Sequence, residues 1–361
     1  MKREQVAAAL QYLGDRAQLR DRFQRATTLD QPTDQDAFDV VAEIGAGFVP
    51  GVGQVQAGRD FERSRRQGDR LGMLLAGFGM VPVVGGAAKA VQKAGKAIDK
   101  AIEARMFQRV DNDFDNLIEE YNTLKDAKGG RVLNTDTARE LSPDYIADRT
   151  KSADVHEPSS TFIKQLYARR LAEPTPPGKV PVVVFTAGGT GAGKSSGLEL
   201  IEQRNPAFAQ AELVYDTNMN KFSSAKDKID QALESGREVK ILYTYRDPAE
   251  SLRQGALTRA MRQEKDYGTG RTVPLAEHGN THVGARKTMD QLREHYKDTP
   301  GIEFQAIDNS RGRGMAQAVE FEDLPQLSDN AQLRGRLRDE LEAAYQAGEI
   351  SESTYRGFKD Y

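Results

Sequence analysis

Cysteine is absent from the 361 residues, and so is tryptophan. A chain without thiols has no disulfide, no thiolate metal site and no cysteine nucleophile. Histidine is nearly as scarce, with four in all. Those four are too scattered for a metal cluster, and His278 and His282 in HGNTH read as lid or substrate contacts rather than ligands. A surplus of charge is missing too. The net charge is only −3, so no nucleic-acid partner is expected and any charged patch is local. The opening stretch, MKREQVAAALQYLGDRAQLRDRF, is too charged for a cleavable signal peptide. The expected site of action is cytoplasmic, and delivery into a target cell would need a route that reads no such signal.

Long apolar runs are also few. Leu71 to Ala88 is an 18-residue stretch without charge, broken by glycines and Pro82. GFVPGVG at 47–53 recurs loosely as GMVPVVG at 79–85. The pattern fits buried hairpins of small-residue helices. It also fits transient membrane contact through residues 38–90.

Periodicity and turn residues divide the rest. The expected parts are an N-terminal helix in 1–35, glycine- and proline-interrupted hairpins over 36–105 and a helical connector at 106–144. An α/β domain over 145–315 and a helical tail at 316–361 follow. EPTPPGK at 173–179 reads as a linker, and Leu333, Leu337, Leu341 and Tyr345 mark one face of a docking helix in the tail.

What is present in strength is a glycine loop. PVVVFTAGGTGAGKSSGL at 181–198 runs from a strand pattern into a helical one. Gly188, Gly189, Thr190, Gly191, Ala192, Gly193, Lys194 and Ser195 satisfy G-x-x-x-x-G-K-[ST]. Glycines let successive N–H groups turn onto phosphate oxygens, and the following helix adds its positive N-terminus. Lys194 is expected on the β- and γ-phosphates and Ser195 on Mg²⁺, with Ser196 beside it. The spacing therefore predicts a nucleoside triphosphate site, with ATP and Mg²⁺ as cofactors.

AELVYD (211–216), VKILYTYR (239–246) and IEFQAID (302–308) are further strand patterns alternating with helical ones. The expected fold is α/β, a P-loop kinase-like parallel sheet flanked by helices, with a helical N-terminal domain and a short helical tail. Ligands of such sheets sit at the carboxyl ends of the strands. Asp216 ends one there, as a Mg²⁺ ligand or as the base for a substrate hydroxyl. Asn220-Lys221-Phe222-Ser223 lacks the aspartate of a guanine-reading motif, and no ATP-binding-cassette signature occurs, which leaves a small-molecule kinase as the favoured class. Such an enzyme needs cations, and Arg246, Arg253, Arg259, Arg262, Lys265 and Arg271 are close in sequence. Arg259 and Arg262 are expected to share a helix face. Gly268-Thr269-Gly270-Arg271 reads as a flexible lid. Rival readings are a nucleotide switch that hydrolyses without transfer, and a structural or translocation protein with a vestigial loop domain.

GREVKILYTYRDPAESLRQGALTRAMRQ, GRTVPLAEHGNTHVGARKTMDQLREHY and IEFQAIDNSRG, following the glycine loop, resemble the zeta-toxin family of P-loop kinases. The N-terminal hairpins resemble the pre-toxin segments of polymorphic toxins. The resemblance implies an ATP-dependent toxin or effector that phosphorylates a sugar nucleotide of the UDP-N-acetylglucosamine type, or NAD, and an antitoxin or immunity protein as partner. It implies Lys194 as the phosphate-binding lysine, Ser195 as the Mg²⁺ ligand, and Arg259 and Arg271 as the transition-state and lid arginines. Larger family members carry two acidic strand ends separated by a long insertion, whereas this chain has only AELVYDTN before its next strand. Either Asp216 is the base, the favoured reading, or it matches the second position and the base is missing.

Overall fold

A computed structural model describes residues 86–312 and 315–359. The expectations for the N-terminal helix and for the hairpins up to residue 85 lie outside the described residues. The chain divides into two compact units, one of residues 1–112 and 146–158, the other of residues 113–145 and 159–361.

In the first unit, α1 (Gly86–Asn112) buries Ile98, Ile102, Met106 and Val110 at spacings of four. Lys151 pairs with Asp99 at 2.8 Å. No helix among the described residues is long and apolar enough to cross a membrane.

The second unit is built on a six-stranded sheet in the order β1-β3-β2-β4-β5-β6. Its strands are β1 (Val132–Asn134), β2 (Val180–Ala187), β3 (Ala211–Asp216), β4 (Glu238–Tyr245), β5 (Ile302–Asp308) and β6 (Gln317–Val319). All pairs are parallel except β5 with β6. β2 and β3 are buried along nearly their whole length because helices cover both faces, so they read as continuous apolar runs. Alternate residues still part to opposite sides. Val182 and Val184 pack with Leu198, Ile201 and Phe208, while Phe185 stacks on Tyr215 and meets Tyr167 edge-on.

One sequence expectation changes here. The connector at 106–144 is not helical throughout. After α2 (Phe114–Thr123) the chain turns through Lys128, Gly129 and Gly130, all at positive φ, into β1. That short strand joins the outer side of β3, with Asn134 level with Asp216. Tyr121 on α2 anchors it, donating to the Val132 carbonyl at 2.8 Å and accepting from Asn134 N–H at 2.9 Å. A brief helix, α3 (Thr135–Ala138), follows with Asn134 as its N-cap.

The longer helices that follow are α4 (His156–Ala172), α5 (Lys194–Arg204), α6 (Phe222–Glu234), α7 (Thr258–Tyr267) and α8 (Leu275–His295), with short helical turns at Pro143–Ala147, Pro206–Ala209 and Pro248–Glu250. The tail supplies α9 (Ala331–Gln346) and α10 (Glu352–Phe358). A π-helical stretch, Ser251–Leu257, leads into α7. Leu333, Leu337 and Leu341 of α9 are buried with Leu252, Leu257, Val273 and Leu275, and Tyr345 packs against the same cluster.

Candidate nucleotide-binding site

The carboxyl ends of β1, β3 and β2 line up in register: Asn134 opposite Asp216, and Asp216 opposite Thr186. Their side chains form a closed set. Asp216 accepts from Thr186 Oγ1 at 2.5 Å through Oδ1 and from Asn134 Nδ2 at 2.5 Å through Oδ2. Thr186 in turn accepts from Thr217 N–H at 3.2 Å. This ledge fixes the Asp216 carboxylate beside the strand that feeds the glycine loop.

The loop is shaped by its glycines. Gly188, Gly191 and Gly193 have positive φ, where a side chain is strained. Its neighbours press closely as well. A Cβ on Gly189 would overlap the His282 ring, and one on Gly191 would overlap the Ser251 carbonyl. α5 then begins with Gly193 as N-cap and no side-chain cap. The first backbone bond into the loop is Gly197 N–H to Gly193 O at 3.0 Å. The N–H groups of Lys194, Ser195 and Ser196 therefore have no carbonyl one turn back, the ordinary state of a helix start that holds an anion. Lys194 Nζ donates to Asn218 Oδ1 at 2.8 Å, and Ser195 and Ser196 are exposed.

Two buttresses hold the loop. On one side, α8 presents His282, whose Nε2 bonds Thr190 O at 3.0 Å, and Thr281, which accepts Thr190 N–H at 3.1 Å. Its neighbour His278 bonds Pro248 O at 2.8 Å. Both histidines are buried rather than facing a substrate, so they are supports of the loop and not the lid contacts expected from HGNTH. Burial pushes His278 down to about 4, aided by the charge of Arg259, and drives His282 well below its ordinary value. On the other side, Arg246 donates to Asn309 O at 2.9 Å, and Asn309 Nδ2 donates to Ala192 O at 2.8 Å.

The cations separate by role. Arg253 is spent on Glu340 and Glu349 of the tail, and Arg262 and Lys265 are exposed. Arg259, three residues from Arg262, is instead turned inward, with Nε and Nη2 buried and without a hydrogen-bond partner. Burial and the neighbouring Arg271 lower it to about 10. Arg271 is ion-paired with Asp136, which also meets Arg139 at 3.1 Å. Burial alone would raise the Asp136 pKa; Arg271, Arg139 and Arg259 outweigh it and hold the carboxyl well below the usual carboxylate range. The stretch expected to be a flexible lid is packed instead. Gly268 caps α7, Gly270 lies against Ala260 O with no room for a Cβ, and Arg271 N–H donates to Gln263 Oε1 at 3.0 Å.

The structure thus ties Lys194 to Asn218, two residues after Asp216, and gathers Arg259 and Arg271 around Asp136 in a separate cluster. Sequence reading missed Asn134, Asp136 and Arg139, which come from upstream of the loop, and Asn218, which bonds Lys194 from the Asp-Thr-Asn turn after β3. A family model described as zeta toxin matches residues 207–310. The matched segment includes Asp216, Arg259, Arg271 and the end of β5, begins after the glycine loop, and amounts to well under half of the chain. No curated protein matches the chain. With the loop that precedes it, the matched segment supports a P-loop, kinase-like nucleotide-binding domain.

Proposed function

We propose that this protein is a phosphotransferase that moves the γ-phosphoryl group of ATP to a hydroxyl of a nucleotide-linked metabolite. The acceptor class is a sugar nucleotide of the UDP-N-acetylglucosamine type, or NAD, and the product is toxic to the cell in which it forms. The observation that carries this reading is the buried, unpartnered Nε and Nη2 of Arg259, which follows closely on the Gly255–Ala256 stretch packed against Gly191 of the glycine loop. A desolvated guanidinium without acceptors costs a few kcal/mol unless an anion completes it. A phosphoryl group poised for transfer is such an anion, and charge spreading over its oxygens is what arginines stabilise.

Each residue then has a task. The glycine loop and the start of α5 bind the triphosphate tail, and Lys194 leaves Asn218 to neutralise it. Arg259 and Arg271 face the transferring group. Ser195 and Asp216 are oxygen donors suited to Mg²⁺, a hard cation that takes few protein ligands and keeps waters. Bound there, Mg²⁺ would neutralise phosphate charge. With both Asp216 oxygens already accepting hydrogen bonds, metal-shell support suits this carboxylate better than proton abstraction.

The test is incubation of the purified protein with γ-labelled ATP and a panel of sugar nucleotides, NAD and nucleosides. A gain of one phosphate on one compound is expected, lost in Lys194→Ala together with growth arrest on expression. Release of phosphate unaffected by every acceptor would favour the nucleotide-switch reading instead.

A further inference from the structure

We propose that Asp136, from the short strand–helix corner upstream of the glycine loop, is the residue that takes the proton from the acceptor hydroxyl. The inference rests on the phosphotransferase reading and assigns the base within it.

The carboxylates at this edge of the sheet differ in what occupies them. Asp216 is saturated by Asn134 and Thr186. Asp247 caps the turn at Ala249 and pairs with Arg336 on α9. Asp308 accepts Ser310 N–H at 2.9 Å. Asp136 alone among these four is paired with an arginine assigned to the phosphoryl group, Arg271, and its side chain is still 43% exposed, so a substrate can reach it. Its place is tied to the ledge: Asn134 Oδ1 accepts Asp136 N–H at 2.6 Å while Asn134 Nδ2 holds Asp216. One asparagine therefore spaces the two carboxylates.

The pairing also explains how an ionised group becomes a base. Without nucleotide, Asp136 balances Arg271 and Arg139. Arg259 and Arg271 turning to the phosphoryl group loosens that balance, and the carboxylate gains affinity for a proton as its counter-charges are drawn off. As the acceptor oxygen bonds to the γ-phosphorus, its proton passes to Asp136. The bond from phosphorus to the β–γ bridging oxygen breaks, and its electron pair stays on ADP. The group that waits ionised for the acceptor also keeps two arginines from repelling one another beforehand.

The test uses the full chain, with Mg-ATP binding measured by calorimetry and single-turnover transfer from γ-labelled ATP to UDP-N-acetylglucosamine or NAD, or to water where neither is phosphorylated. Asp136→Asn is expected to bind Mg-ATP at least as tightly as the wild type, because arginines are released to the phosphates. Its transfer should fall about 100-fold or more. Asp136→Glu keeps the charge and moves the oxygens by one methylene; should Asp136→Asn not fold, loss of roughly tenfold or more in Asp136→Glu with unchanged nucleotide affinity supports the assignment equally. Transfer within about threefold of wild type in Asp136→Asn overturns it. So does loss of nucleotide binding and transfer together, which would make Asp136 a positioning residue. A wild type that binds no Mg-ATP sinks the phosphotransferase reading itself, and the assignment with it.

Discussion

The two polar regions at the carboxyl edge of the sheet are built in opposite ways. On the strand ends, Asn134, Asp216 and Thr186 satisfy one another with short hydrogen bonds. On α7 and the turn after it, Arg259 has buried N–H groups without acceptors and Arg271 has a buried, unpartnered Nε. A satisfied set holds its geometry whether or not a ligand is there. An unsatisfied one stores a cost that a ligand removes, and so marks where the ligand's charge belongs. On the proposed reading, the strand ends are the scaffold of this site, and the arginines are its demand for an anion.

Substitution of Arg259 should break the comparison hardest. Arg259→Ala is expected to lower transfer by about a thousandfold while leaving the melting temperature unchanged or higher, since a buried charge with unmet hydrogen bonds disappears. A variant that melts markedly lower would show that the arginine is structural. Acid should weaken the loop's support next. His278 and His282 are neutral when folded and take a proton in the unfolded chain below about 6.5, so their contribution is whole above that pH and is lost as pH falls below it, for His278 towards about 4. Urea titrations at pH 7 and pH 5 should differ in a His278→Gln-sensitive way, with a full loss on the order of 3 kcal/mol for His278. On the scaffold side, Asn134→Ala leaves an Asp216 oxygen without its donor and should cost about 1–3 kcal/mol in chemical denaturation. The smallest effect belongs to Arg262→Ala. Its exposed side chain predicts transfer within about twofold of wild type, which separates it from Arg259 on the same helix.

How much of this was legible in the sequence depended on distance along the chain. The glycine loop was readable because its function is local: eight residues carry their own geometry and lie between a strand pattern and a helix pattern. β2 to β5 were readable for a similar reason, as long apolar runs between turns. β1 was not. Three residues carry no periodicity, and Val-Leu-Asn earns its strand only by pairing with β3 some eighty residues later. The Thr-Asp-Thr-Ala-Arg run after it looked like more of a polar helix, so Asp136 and Arg139 passed unnoticed. Arg259 and Arg262 are alike in residue type and helical spacing; only the family resemblance singles out Arg259, and burial now separates the two. The histidines were misread because a polar pair at a spacing of four says nothing of which side of the helix faces the core.

The sheet order has a practical consequence for cutting the molecule. Residues 173–179 look like the natural place to begin an isolated kinase fragment, yet Glu173 O is held by Arg237 at 2.6 Å and residues on both sides of the linker, from 159 onward, lie in one unit with 113–145. A fragment started there would keep every glycine of the loop and still arrive without Asn134, Asp136 and Arg139. It would carry the loop without the partners of Asp216 and Arg271, and silence from it would say nothing about the intact chain.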